Sequence, residues 1–489
     1  MNNNAKNDSQ QATLQGNMGV PQLVMSVLAF SGPLCVAAAF ITAVLKDAGS
    51  AAPWVYIICF MILLFFSVGF SKMGTVMARP GGFYSSITDG LGKKMGMTGA
   101  FISAAGYMTN GLFGPPLLAI YLQQVIENTL GGPHIPWYIL AVACVLISMA
   151  LAYRRIDLSA KVMFYVMLCE VALIVIFDVA AFLHGTPAGS GGGMFTLPNF
   201  GSGTFGVALL LGFGNFLGFE ATVIYREECR NPQKTIPRAT FIAVIGIGVM
   251  YSVTAWAFIK FYGAFNVQDV ATNQTATMFS TALGSLTAQI MNDIVSALAC
   301  FSVFASMLSI HNVAARYLFS LGQDGVIPKA FGKVHPKHHS PHVAATVVGC
   351  FWLAMLIIFA ASGKPSDYLY PLFSGSGVFL TLLVILLAGI AVPAYFIKNP
   401  QFGFSKVVTL GAPIIGIIGL AFIVYMAVVN FGELLGSTGI VTVIFFIGII
   451  VYILAAYCYA VYLQKKRPEV FAKIGRQDAV DKIDELLNK

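Results

Sequence analysis

Apolar runs of about 20 residues recur along the whole of this sequence and constrain its fold more than any motif does. Coiled as a helix, such a run matches the hydrocarbon thickness of a bilayer. Inside lipid every backbone N–H and C=O needs a partner within the protein, which a helix supplies along its own length. Spans 1 to 6 are residues 20–45, 54–76, 97–125, 136–153, 159–183 and 204–225; spans 7 to 12 are 239–261, 286–320, 343–361, 370–396, 407–429 and 438–462. With 57% of its 489 residues hydrophobic and 10% charged, the chain is too apolar for a soluble multidomain protein. The expected fold class is an all-α polytopic membrane protein with twelve transmembrane helices.

Lysine and arginine accumulate in short loops on the cytoplasmic side of a membrane protein. With the amino terminus inside, all 28 basic residues except Lys46, Lys260 and Lys364 fall on that side. A miscounted span would invert every later loop and scatter this asymmetry. The expectation is a multi-pass protein of the cell (inner) membrane with both termini cytoplasmic, in which the net charge of +8 reports orientation. The basic residues lie in separate loops rather than one patch, so nucleic acid is not an expected partner. The polar leader, residues 1–16, lacks the basic-then-apolar order of a cleavable signal, and span 1 is expected to persist as a helix.

Two spans are interrupted in mid-course. Span 1 carries Ser31-Gly32-Pro33, and proline has no amide donor and disrupts the turn before it. Span 6 carries Gly212, Gly214 and Gly218 ahead of Glu220, and glycine lowers helix stability by about 1 kcal/mol relative to alanine. A loop holding Arg226, Glu227, Glu228, Arg230, Lys234 and Arg238 follows. Spans 1 and 6 would open two groups of five helices. Five is odd, so the second group would lie inverted relative to the first, and paired breaks at corresponding positions point to a binding site between the groups. Ordinary kinks, which bilayer helices tolerate, are the alternative. This reading divides the chain into a cytoplasmic leader (1–19), a first five-helix repeat (20–183), a second (184–398), peripheral helices 11 and 12 (399–463) and a cytoplasmic tail (464–489).

The eight cysteines are scattered singly, without a CxxC pair or a Cys/His cluster, so no disulfide, metal or cofactor is assigned. An intramembrane enzyme would call for paired catalytic acids, an HExxH motif or a GxSxG elbow, and a channel for rings of pore-lining charge; neither pattern is present.

Four ordered pieces carry a family resemblance: Pro80-Gly81-Gly82-Phe83-Tyr84 after span 2; Gly218-Phe219-Glu220 running into Glu227-Glu228 and Asn231-Pro232; Ile236-Pro237-Arg238-Ala239; and Arg316 followed by Asp324-Gly325-Val326-Ile327-Pro328 after span 8. In this order they resemble the amino acid-polyamine-organocation permeases. The resemblance implies a five-plus-five inverted repeat with two peripheral helices, a central site between helices 1, 3, 6, 8 and 10, and transport by alternating access. It also implies that the amides of a glycine-rich break in helix 1 hold a substrate carboxylate. This chain departs from that pattern at Ser31-Gly32-Pro33, where proline removes a donor. A similar break occurs in the putrescine-importer branch, whose substrate has no carboxylate. Ser31 Oγ and the amides of Ser31 and Gly32 remain able to serve one, so amino acids, amines and polyamines all stay open.

Ionisable groups at membrane depth face a cavity or a partner. Glu170 lies near the middle of span 5, at the position where, by the resemblance, proton-coupled amino acid members carry a lysine in place of a sodium ion. It is a candidate proton acceptor or cation ligand; a protonated carboxyl bonded between helices is the structural alternative. On span 8, Ser302, Ser306 and Ser309 recur at i, i+4 and i+7 and share one face. Hydroxyls there help complete the ion site in sodium-coupled transporters of the implied fold, or else pack helix on helix. His311 reads as a packed, hydrogen-bonded histidine.

The substrate-binding set expected from the two breaks is Ser31, Gly32, Pro33, Phe213, Gly214, Asn215, Phe216 and Gly218, joined by Tyr107 and Asn110 of span 3. Coupling falls to Glu170, Ser302 and Ser306, and Glu220 is expected to pin helix 6. Tyr370, Ser374 and Ser376 of span 10 are weaker candidates, and Asp178 and Asp293 read as vestibule charges within reach of water. The expected function is a secondary active transporter importing an amino acid or a small amine, coupled to protons or to sodium; an amino acid/amine exchanger is the alternative. Its partners are that solute, the coupling ion and the lipid bilayer.

Overall fold

The structure, a computed structural model, describes residues 18–77, 82–154, 160–184, 203–219, 222, 229–275, 277–338, 340–437 and 439–475. Its regular elements among these residues are helices. Among the described residues, nine helical stretches are long and apolar enough to cross a membrane: Val20–Val76, which covers spans 1 and 2 together, and those at spans 4, 5 and 7 to 12. Span 3 is divided, as helices Lys93–Asn110 and Gly114–Gln124 flank a tight turn, Gly111–Phe113. Pro115 and Pro116 lack the amides that would carry the first helix on without interruption. The described helix of span 6, Gly203–Gly214, is short. The protein is an all-α, polytopic membrane protein. Helix Ile440–Lys466 leaves Ile444, Ile447, Val451 and Leu454 exposed, an apolar face suited to lipid.

Small residues let the inner helices approach closely. A side chain on Gly377, in helix Ser366–Lys398, would place its Cβ 2.4 Å from Cα of Asn110. A Cβ on Gly111 would lie 2.2 Å from the ring of Trp352, whose indole N–H donates to the Met108 carbonyl at 2.7 Å. The end of the first half of span 3 is thus clamped between helices Ser366–Lys398 and His342–Ala361. The same packing fixes His311: its Nε2 donates to the Ala345 carbonyl at 2.8 Å, leaving Nδ1 to accept the Ser148 hydroxyl at 3.0 Å. The buried, bonded place read from sequence for His311 is the one it occupies.

Gly377→Ala should lower stability by ~1–3 kcal/mol through overpacking. Gly246→Ala, at a helical position with nothing within 4 Å, should be neutral or gain about 0.5–1 kcal/mol. Thermal unfolding of the two purified variants side by side checks the pair, and equal midpoints would contradict the close approach at Asn110.

Candidate functional site

Helix Val20–Ser31 stops at Gly32, whose φ of +59° an L side chain rarely adopts. The chain resumes as Pro33–Cys35, followed by the wide π-type turn Val36–Phe40. Proline at the first position of the new segment leaves no orphan amide there. The remaining amides of the break all have partners. Gly32 N–H donates to the Leu28 carbonyl (2.9 Å) and Val36 N–H to the Gly32 carbonyl (3.0 Å). Leu34 N–H donates to Glu170 Oε2 (3.2 Å) and Cys35 N–H to Ser302 Oγ (3.1 Å). The Ser302 hydroxyl donates in turn to the same Glu170 oxygen at 2.9 Å, and Ser306 Oγ donates to the Phe30 carbonyl at 2.8 Å. Glu170, 3% exposed, therefore caps the second half of the broken helix from a different helix, Ala160–His184.

The second break follows helix Gly203–Gly214. Asn215, Phe216 and Leu217 fold back in successive tight turns onto the Gly212, Phe213 and Gly214 carbonyls. Gly218, at φ +104°, is pressed against Phe30, and a Cβ there would sit 2.3 Å from the ring. Polar side chains tie this break to the first. Ser31 Oγ donates to the Asn215 carbonyl (3.3 Å) and so accepts from the Tyr251 hydroxyl (2.6 Å), while Asn215 Nδ2 donates to Tyr56 OH (2.9 Å). The Tyr56 ring lies 5.7 Å from that of Tyr251 and 6.4 Å from that of Phe216.

Between the two breaks lies a small cavity. Its polar side chains are Ser31, Asn110, Asn215, Ser306 and Ser374, and the rest of its wall is glycine and apolar residues. Among the described residues, no charged one lines it. Asn110 is 5% exposed, and its carboxamide meets no hydrogen-bond partner among the described residues. A second, smaller cavity lies beside the first break, lined by Gly32, Pro33, Val166, Met167, Glu170, Ser302 and Ala305.

Of the residues expected from sequence, Ser31, Asn110, Gly214, Asn215 and Ser306 thus gather on the central cavity, and Gly32, Pro33, Glu170 and Ser302 on the smaller one. Tyr107 is fully buried beside them, edge-on to Phe30 and stacked on Tyr317, and its hydroxyl has no hydrogen-bond partner among the described residues. Phe213 and Phe216 are buried and line neither cavity; the aromatic walls of the central one are Phe30, Phe40 and Phe113. Ser309, half-buried, also lines neither, and the Ser376 hydroxyl is used within its own helix. Asp178 departs from the vestibule expectation: it is 8% exposed, and the Thr254 hydroxyl donates to it at 3.2 Å, because helix Pro232–Tyr262 covers its face of helix Ala160–His184. Glu220, with Pro80, Gly81, Arg226, Glu227 and Glu228, lies outside the described residues. Sequence reasoning missed Tyr56 and Tyr251, whose only signal is a phenol within an otherwise apolar run.

The profile of a family described as amino acid permease matches residues 23–456. The low-affinity putrescine importer PlaP of Escherichia coli K12 is 25% identical over 370 residues, 73% of this chain and 78% of the importer. The branched-chain amino acid permease BcaP of Lactococcus lactis is 23% identical, over 68% of this chain and 75% of the permease. The human cystine/glutamate transporter is 24% identical, over 68% of this chain and 67% of the transporter.

Ser302→Ala removes the acceptor of Cys35 N–H and a donor to Glu170 together. It should lower stability by about 1–3 kcal/mol, the cost of a buried polar group left unsatisfied. Ser302→Thr, which keeps the hydroxyl, should recover most of that loss. Thermal unfolding of the two variants tests this, and an alanine variant as stable as the parent would show that the bonds at the break are dispensable.

Proposed function

The chain belongs to the amino acid permease family of the amino acid-polyamine-organocation superfamily, and from that premise we propose that it is a secondary active transporter that imports an amino acid or small amine by alternating access, coupled to protons. In this reading the two five-helix repeats lie inverted in the cell (inner) membrane with both termini cytoplasmic. The solute occupies the central cavity between the broken helices, against Ser31, Asn110, Gly214 and Asn215.

The observation that carries the coupling is the grip of Glu170 on the second half of the broken helix, through Leu34 N–H directly and through Ser302. An ionised carboxylate is a stronger acceptor than a neutral carboxyl. A proton arriving at Glu170 weakens both bonds and frees the segment beginning at Pro33 to shift; departure of the proton restores them. Among the described residues, Glu170 and Ser302 are the side chains with oxygen on the smaller cavity, and that hydroxyl is already engaged in both directions. This favours a proton over a sodium ion, which would need further oxygen ligands.

Uptake of labelled amino acids and amines by proteoliposomes tests the transport reading. Saturable, gradient-driven accumulation supports it, and conductance without saturation means a channel. Glu170→Gln keeps an acceptor oxygen and loses the titration. It should abolish accumulation driven by an imposed proton gradient while leaving exchange at equilibrium, and a variant that concentrates solute as well as the parent would refute the coupling role.

A further inference from the structure

The central cavity is built to hold a positive group and not a negative one. Two helices, Val20–Ser31 and Gly203–Gly214, end at it, and their last residues, Ser31 and Gly214, are part of its wall. Each helix carboxyl end carries roughly half a negative charge. The helix start nearby, at Pro33, would favour an anion, but its amides are already engaged within the protein: Glu170 takes Leu34 N–H, Ser302 takes Cys35 N–H, and Pro33 has no amide to give. Gly32 and Val36 bond within the chain. No amide from Gly32 to Val36 is left for a carboxylate, and among the described residues the lining has no lysine, arginine or histidine to replace them.

Two carboxamides remain. Asn215 gives one Nδ2–H to Tyr56, which leaves its oxygen as an acceptor and its second N–H as a donor. Asn110, buried and without a partner among the described residues, offers an oxygen to an ammonium as readily as an N–H to a carboxylate. The field of the two helix ends decides between these in favour of the ammonium. The apolar part of the wall includes Phe40, Phe113, Leu211, Ile310 and Val378, and a second charge against it would be stranded without a counter-group.

We propose that the central cavity selects a primary amine with a single ammonium group and an apolar body, and that it has no seat for a carboxylate. The proposal rests on the transport reading above and narrows it, replacing "amino acid or amine" by the decarboxylated member of each pair.

The test uses the full-length protein in lipid nanodiscs and matched ligands: leucine against isopentylamine, phenylalanine against phenethylamine, and putrescine as a diamine. Ligand-induced thermal stabilisation and competition give the affinities. Each monoamine should bind at least about tenfold more tightly than its parent amino acid and than the diamine. An amino acid that binds as well as its own amine would overturn the missing carboxylate seat, and a diamine equal to the monoamines would overturn the single-charge wall. Asn110→Asp should tighten the monoamines by about tenfold and weaken the amino acids further, and a change of opposite sign would count against the proposal. If none of these solutes binds or enters proteoliposomes, the transport reading itself fails. If amino acids are transported and amines are not, transport stands and the amine assignment falls.

Discussion

A backbone amide inside a bilayer has no water to fall back on, and the rest of this structure follows from how that constraint is met where the first helix is broken. Unwinding the chain at Gly32 and Pro33 strips Leu34 and Cys35 of the carbonyls a continuous helix would give them. Two side chains from elsewhere in the fold supply the substitutes: Glu170 from helix Ala160–His184 and Ser302 from helix Ile290–Gln323. The break is therefore a joint between three helices, stable only while all of them are in register. A Cβ on Gly32 would come within 3.3 Å of Ser302 Oγ, so the glycine provides both the turn and the room for the hydroxyl.

The opposite face of the same break is tied differently. Ser31 joins the Asn215 carbonyl and the Tyr251 hydroxyl, and Asn215 joins Tyr56, so the two broken helices share one polar chain that ends in two buried phenols. Among the described residues, one side of the break thus carries a carboxylate and the other neutral groups. That division separates the titratable group from the cavity that would hold a solute: Glu170 lines the smaller cavity and is absent from the lining of the central one. A proton and a solute can then occupy the two sides without competing for the same atoms, and each acts on the other through the few residues between them.

Much of this was legible in the sequence. Span length and apolarity place the helices because both follow directly from bilayer thickness, and Ser31-Gly32-Pro33 marks its own break because proline and glycine act locally. Glu170 and the Ser302/Ser306 face could be picked out because charge and hydroxyls are conspicuous in an apolar run. What stayed hidden depends on rotation about helix axes. Phe213 and Phe216 sit in the broken segment and look like lids, yet both turn into the core, while Phe30, Phe40 and Phe113 form the aromatic wall. Tyr56 and Tyr251 resemble any tyrosine in a membrane helix until the partner 2.6 Å from Tyr251 is seen. Asp178 reads as a vestibule group from its depth alone, and only the packing of Thr254 against it shows that it is covered.

The size of the proposed coupling can be bounded. A hydrogen bond to a charged acceptor contributes about 1.5–3 kcal/mol and one between neutral groups about 0.5–1.5 kcal/mol, so protonation costs each of the two bonds to Glu170 roughly 1 kcal/mol. The two together amount to about 2 kcal/mol, roughly a thirtyfold change in a two-state equilibrium. That is ample to bias the break toward one of two conformations of similar energy, but short of the ~10⁴-fold preference needed to drive it fully from one to the other. The remainder has to come from the solute. A cation held at the ends of the two broken helices would strengthen the ties between them as the proton loosens the tie to Glu170. Transport would then require both to be bound, with neither able to move the helix alone.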